Sequence, residues 1–206
     1  MFTGIIQHIG RVERIEEQEF GDLRLIISSP MDLSDTPIGA SIACSGCCLT
    51  VVDKVFNESV ENCFSVDVSR ETLSKTIIDQ WIHGSRVNIE PSLRLGDELG
   101  GHLVSGHVDG LAHLVSCSLE GDSRHMRFKI PRELAPFVAS KGSVSLDGIS
   151  LTINEVDDVV FGVNIISHTW DFTTLSDREI GDNLNIEIDM LARYVARMMD
   201  YKGSVS

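Results

Sequence analysis

The residues of this chain with the widest chemistry are five cysteines and seven histidines, and three of the cysteines crowd into Cys44-Ser45-Gly46-Cys47-Cys48. A C-x-x-C spacing opens many zinc sites. A structural zinc needs four closed ligands, however, and neither a second C-x-x-C nor an H-x-x-x-H pair appears, so no metal is expected. A thioredoxin-like redox pair needs a βαβ setting that is absent. Cys48 stands beside Gly46 at a strand turn, from which its side chain can reach a pocket while Cys44 and Cys47 face elsewhere. A thiolate there would activate a nucleophile or add to an electrophilic ring; the residue alone equally suits a small buried hydrophobe. His107 follows Gly106 and suits proton transfer near pH 7. His102, five residues earlier, reads as a satisfied structural histidine, and His168 is placed in the loop leading to Thr169. Ser150 and Thr152 offer hydroxyls for hydrogen bonding or are ordinary strand residues. Asp189 ends a strand and is suited to cap the helix that follows.

The elements that must position these groups come in two copies. Gly4 in Phe2-Thr3-Gly4-Ile5-Ile6 matches Gly106 in Val104-Ser105-Gly106-His107-Val108 at an offset of 102. The same offset pairs Ser41 with Ser143, Gly46 with Gly148, and Leu49-Thr50 with Leu151-Thr152. Further on the offset becomes 97, pairing Phe64 with Phe161, Thr72 with Thr169, Gly84 with Gly181, and Asn88-Ile89-Glu90 with Asn185-Ile186-Glu187. The first half therefore carries extra residues around Asn57-Glu58-Ser59, a polar, turn-like run, and insertions collect in hairpin loops because they cost little there.

Each half reads as short β-rich runs broken by Gly, Asn or Asp, at 41–44, 49–52 and 63–68, then at 143–146, 151–153, 159–163 and 184–188. Strands at short regular intervals close into barrels. Short helices are expected after Arg70, after Thr169 and near 132–139. Over 190–201, Leu191, Val195, Met198 and Met199 form one stripe of an amphipathic helix. That stripe either covers its own barrel end or packs against other subunits. The expected fold is mainly β: two tandem homologous closed antiparallel β-barrels, 1–97 and 98–189, plus a C-terminal α-helix and tail, 190–206.

Composition narrows the function. A net charge of −14 and a pI near 4.8 oppose nucleic-acid binding, which needs a basic face. No apolar run approaches the roughly 20 residues that span a bilayer, and the N-terminus lacks the basic and apolar regions of a signal peptide. Cytoplasmic residence without membrane contact is the expectation, and an odd cysteine count there reads as free thiols. No phosphate-gripping Gly-rich turn opens a helix, which weighs against a redox flavoprotein.

Met1-Phe2-Thr3-Gly4-Ile5-Ile6, Gly46-Cys47-Cys48-Leu49-Thr50-Val51, the run from Gly100 to Val108, and Asp147-Gly148-Ile149-Ser150-Leu151-Thr152 together resemble the riboflavin synthase family, in its order and spacing, from Met1 to about Asp189. The resemblance implies a homotrimer with a C-terminal trimerising helix. It also implies dismutation of two 6,7-dimethyl-8-ribityllumazine molecules at a site between the N-terminal barrel of one subunit and the C-terminal barrel of the next. No cofactor is implied, and association with lumazine synthase is left open. Holding two reactants in register supplies roughly 7–11 kcal/mol of the barrier.

By resemblance Cys48, His107, Ser150, Asp189 and Ser41 are the catalytic candidates. Lys141 is implied to reach the site across the subunit boundary, and Phe2 to lie over the ligand, where stacking would order it. Strand amides at Gly4, Ile5 and Ile6, at Cys48, Leu49 and Thr50, at Gly106, His107 and Val108, and at Ser150, Leu151 and Thr152 would read the ring. Asp67, Val68, Ser69, Arg70, Glu71 and Thr72 would hold one ribityl chain; Ile166, Ser167, His168, Thr169, Trp170 and Asp171 would hold the other. The halves diverge where Cys48 matches Ser150, Ile5 matches His107 and Ser92 matches Asp189, and there donor and acceptor roles would be set. A non-catalytic lumazine- or flavin-carrying antenna protein of the same fold is the alternative. Keeping Phe2, Cys48, His107, Ser150 and Asp189 together favours the enzyme.

Overall fold

The computed structural model describes residues 1–55 and 62–203; Asn57, Glu58 and Ser59 lie outside the described residues. The first barrel comprises β1 (His8–Glu17), β2 (Leu23–Ser29), β3 (Ser41–Cys44), β4 (Cys47–Val55), β5 (Asn62–Val68) and β6 (Arg86–Pro91). It closes in the order β1-β2-β5-β4-β3-β6. The second comprises β7 (Gly110–Glu120), β8 (Ser123–Lys129), β9 (Ser143–Leu146), β10 (Ile149–Asp157), β11 (Val160–Ile165) and β12 (Asn183–Ile188), closed in the same relative order. Three helices, α1 (Arg70–Lys75), α2 (Ser167–Asp171) and α3 (Met190–Gly203), accompany 3₁₀ turns at Ile77–Gln80, Arg132–Phe137 and Thr174–Asp177. No helix of the described residues is long and apolar enough to cross a membrane.

β1, β2, β6, β7 and β8 are absent from the sequence reading, although the repeat ties β6 to the run at 184–188. In β1 and β7 a register shift, between Val12 and Arg14 and between Leu114 and Ser116, breaks the alternation of inward residues such as Val12 and Leu114 with outward ones on which a period-2 reading relies. α2 begins at Ser167, before the expected start after Thr169. His168 consequently sits in a helical turn, with Trp170 N–H donating to Ile166 O at 3.0 Å, rather than in a loop.

Alternation along β3 and β4 decides which side chains are available. Ile42, Cys44, Leu49 and Val51 fill the first barrel together with Phe64 and Val66. Ser41 pairs with Thr50 and Ala43 with Cys48, so these four share the outer wall. Phe128 and Phe161, 5.8 Å apart, help fill the second lumen. Both lumens are packed with side chains, so a ligand must sit on the outer walls.

β3–β4 and β9–β10 are joined by two-residue turns with positive φ at both central positions: Ser45 (43°) and Gly46 (79°), Asp147 (45°) and Gly148 (82°). This is the type I′ geometry that suits the twist of tight hairpins. The two turns meet between the barrels. A Cβ on Gly46 would lie 2.6 Å from Gly148 N, and one on Gly148 would lie 2.8 Å from Gly46 N. Reciprocal bonds frame the contact. Asn88 Nδ2 donates to Asp147 O at 2.9 Å, Asn185 Nδ2 donates to Ser45 O at 2.8 Å, and their Oδ1 atoms accept from Thr174 N and Ile77 N. The duplication has become a local twofold. It is broken where Asp147, buried and paired with Arg178 at 2.7 Å, replaces Ser45, and Arg178 replaces Trp81.

The α3 stripe is not spent on its own barrel. Leu191, Val195, Met198 and Met199 all remain exposed in the single chain.

Candidate active site

Two arms build the site. Thr3-Gly4 and Ser105-Gly106 precede the two barrels, and each is gripped by a carboxylate from the last strand of its own barrel. Glu187 accepts from Ser105 N (2.7 Å), Ser105 Oγ (2.6 Å), Gly106 N (2.8 Å) and His107 N (2.9 Å). Glu90 accepts from Thr3 N (2.6 Å), Thr3 Oγ1 (2.7 Å) and Gly4 N (3.0 Å). Burial raises the Glu90 carboxyl above its ordinary range, opposed by these bonds from Thr3 and Gly4.

So held, each arm crosses to the outer wall of the other barrel. Cys48 N donates to Gly106 O and Ser150 N to Gly4 O, both at 2.8 Å. Both glycines have positive φ, and a Cβ on either would approach the Cβ of Cys48 or Ser150 to 2.5 or 2.6 Å, so only glycine lets the arms lie this close. Phe2 forms a bridge with Val104 and is 0% exposed among Ala43, Val104 and Cys48. The protein alone orders this ring, without the ligand stacking anticipated for it.

Against the first barrel this leaves a cleft of about 290 Å³. It gathers Cys48, Glu71, Thr72, Gly106, His107 and Val108 from the expected set and adds Cys47, Lys75 and Thr76. Lys75 follows Glu71 by four residues on α1, the i, i+4 relation that shares a helix face, and this is the signal that would have found it. Burial pushes the Cys44 thiol well up and the Cys47 thiol up to about 12, so neither forms a thiolate near neutrality. Cys48 is half-buried on the outer wall.

Other expected residues support the cleft without lining it. The Leu49 and Val68 side chains are in the barrel core, which leaves only their backbone for a ligand. Asp67 is paired with Arg24 at 2.7 Å, which holds its carboxyl below the usual range. Ser69 Oγ caps α1 through Thr72 N, and Arg70 N–H donates to Asp22. Ser41, Lys141 and Asp189 do not line the cleft; Asp189 Oδ1 caps α3 through Leu191 N at 2.9 Å.

The repeat-related surface on the second barrel has different chemistry. His102 Nδ1 lies 2.7 Å from Ser150 Oγ. Burial lowers the His102 pKa from its ordinary 6.5, with Asp189 and Glu187 opposing, so the ring faces the serine as a neutral imidazole. His102, read from the sequence as structural, is thus bonded to the Ser150 hydroxyl, while its Nε2 has no partner among the described residues; His107 contributes to the other surface. Where the first surface has His107 and Lys75, the second has Ile5 (47% exposed) and Phe172 (63% exposed). His168 stacks on Phe172 at 4.6 Å. Trp170 turns to the barrel core beneath Arg124, which is 4.0 Å from its ring. Ile6 and Leu151 also pack on this core, and Ser167 Oγ donates to Asp122 O. A larger hollow of about 560 Å³ beneath the Glu90 clamp includes Ile5 and Ser92, two positions where the halves diverge, but no other expected site residue.

Lys141 occupies a left-handed backbone position (φ 67°) where the first half has Gly39 (φ 89°). A lysine there carries roughly 1 kcal/mol of strain. Lys141→Gly is therefore expected to raise the melting temperature, and a variant no more stable than the parent would show the lysine to be unstrained.

A family model for the lumazine binding domain matches the chain twice, over residues 3–92 and 105–189. Riboflavin synthase of Brucella abortus (strain 2308) is 50% identical over 202 residues, covering 98% of this chain and 100% of the relative. The chain belongs to the riboflavin synthase family. Further family members match at similar coverage: that of Photobacterium phosphoreum is 38% identical over 97% of this chain and 89% of its own, and that of Mycobacterium tuberculosis (strain ATCC 25618 / H37Rv) is 38% identical over 98% and 100%. Riboflavin synthases are transferases. Two crystal structures of LumP share the fold: with 6,7-dimethyl-8-(1'-D-ribityl) lumazine, TM-score 0.79 at 25% identity, and with riboflavin, 0.81 at 26%, each covering 91% of this chain and 99% of LumP.

Proposed function

We propose that this chain converts two molecules of 6,7-dimethyl-8-ribityllumazine into riboflavin and 5-amino-6-(D-ribitylamino)uracil, acting in the cytoplasm. The observation that carries this is 50% identity along the whole chain to a riboflavin synthase. One lumazine gives up a four-carbon unit and the other receives it, so atoms and electrons balance between the two substrates. The duplicated outer wall supplies the two positions such a reaction needs. On the first surface, Cys48 and His107 supply a nucleophile and a proton carrier. On the second, neutral His102 takes a proton through Ser150 Oγ, the requirement for deprotonating the acidic 7-methyl group of a lumazine.

Both surfaces lie outside their barrels, so bringing two ligands face to face requires a second subunit. In this reading the exposed α3 stripe is the seam of a homotrimer, with Lys141 reaching across the boundary. Truncation after Asp189 is expected to give monomers with little activity; a truncated chain that remains an active trimer would refute the seam. Cys48→Ser keeps size but replaces a thiol by a far weaker acid, and turnover is expected to fall by about 10²-fold or more at near-normal melting temperature. Unchanged steady-state rates would remove the thiol from the mechanism. The reading as a whole is tested by mixing purified protein with the lumazine alone and following riboflavin absorbance. Binding without conversion would favour the antenna protein instead.

A further inference from the structure

A second cavity, sharing no lining residue with the Cys48 cleft, lies between the barrels. The 3₁₀ turns Ile77–Gln80 and Thr174–Asp177, which the repeat relates to each other, both contribute to it; Trp81, Arg178, Ser85 and Arg86 complete a space of about 200 Å³. The first half brings Ile77 and Trp81 to the lining, and the second brings Thr174 and Arg178 at the matching positions. At these matched positions the first half is apolar where the second offers donors; Ser85 and Arg86 of the first half add further donors, beside Gln80 and the Asp177 carboxylate that Arg86 already engages.

The donors are under-used. Thr174 is only 1% exposed, yet its Oγ1 has no hydrogen-bond partner among the described residues. Arg178 Nη2 is bound to Asp147 at 2.7 Å, but its Nε is unpartnered among the described residues. Arg86 gives Nη1 to Asp177 at 2.6 Å and keeps its other N–H groups. Ser85 Oγ accepts from Ile82 N at 2.9 Å, which leaves its own hydrogen to donate. Buried donors without acceptors are costly, and native interiors supply them with a partner or a bound species. A lining rich in donors, with two guanidiniums, selects an acceptor-only species.

We propose that this inter-barrel cavity binds a small oxyanion of phosphate size, accepting from Arg178, Arg86, Thr174 and Ser85. Asp147 and Asp177 each neutralise one arginine, and the chain carries a net charge of −14. The affinity is accordingly modest, in the millimolar range. Because both barrels line the cavity, occupancy stabilises their pairing. The proposal is independent of the reaction assigned to the chain.

The test uses the full chain with inorganic phosphate, matched in ionic strength with chloride, because phosphate also stabilises proteins non-specifically by exclusion. Trp81 fluorescence is read in a Trp170→Phe background, and melting is followed in parallel. A saturable response is expected in both. In Thr174→Val, and separately in Arg86→Gln, the half-saturating concentration should rise about tenfold or more, as for loss of one bond to a charged ligand. Thr174→Val removes a single hydroxyl and leaves the Asp147–Arg178 pair intact, so it reports on folded protein. A response that rises without saturation, or saturates equally in Thr174→Val, overturns the proposal and leaves the cavity to water. Loss of the response in Lys75→Ala with retention in Thr174→Val overturns it in favour of the Cys48 cleft.

Discussion

His102→Gln is expected to slow turnover by about 10²–10⁴-fold while leaving lumazine affinity and melting temperature near those of the parent. Glutamine can hold a hydrogen bond to Ser150 Oγ but cannot take up a proton. The parent ring faces that hydroxyl at 2.7 Å with its pKa lowered by burial, so the neutral, proton-accepting form persists below the ordinary 6.5. The sign for stability follows. As pH falls through 6.5 the unfolded chain takes up a proton on His102 before the folded chain does. The stability linked to this residue is therefore complete above pH 6.5 and is lost as pH falls toward the lower folded value. The acid limb of the parent pH–rate profile should accordingly lie below pH 6.5, and it should be absent from the residual rate of His102→Gln. An unchanged profile in the variant would return His102 to a packing role and leave Ser150 without its base.

The second large effect concerns barrel pairing. Gly46→Ala and Gly148→Ala should each cost about 2–5 kcal/mol, the sum of left-handed strain on a Cβ and of crowding against backbone that cannot move aside. The added atom would meet the opposing turn at 2.6 or 2.8 Å. Gly84→Ala is the control: its φ is 86°, but nothing lies within 4 Å of the new Cβ, so it bears the strain alone. Equal melting temperatures for all three variants would show that contact between the turns contributes nothing.

The architecture is a property of the sequence. Two copies at offsets of 102 and 97, with period-2 runs and Gly or Asp at the breaks, leave little besides two similar barrels. Ser-Gly and Asp-Gly at equivalent places specify the hairpins because few residues tolerate positive φ at both turn positions. Alternation separates Cys48 from Cys44, which faces the lumen, but not from Cys47, which lines the same cleft at the turn. The α3 stripe was legible from helical spacing, but whether it served its own barrel was not.

Tertiary structure decided what those faces meet. Alternation says that Cys48 and Ser150 point away from their lumens, but not that each is covered by the arm leading into the other barrel. That contact joins residues such as Gly4 and Ser150, far apart in the chain, through a reciprocal interface that exists only once both barrels have closed. For the same reason His102 looked structural: its partner lies on a strand 48 residues later. Phe2 looked like a frayed end in need of a ligand, although the seam between the barrels already buries it. Repeat, alternation and turn residues specify the duplicated barrels and the supply of reactive groups. Only the packing of one barrel on the other decided which groups share a surface, because inter-barrel contacts have no periodicity along the chain to betray them.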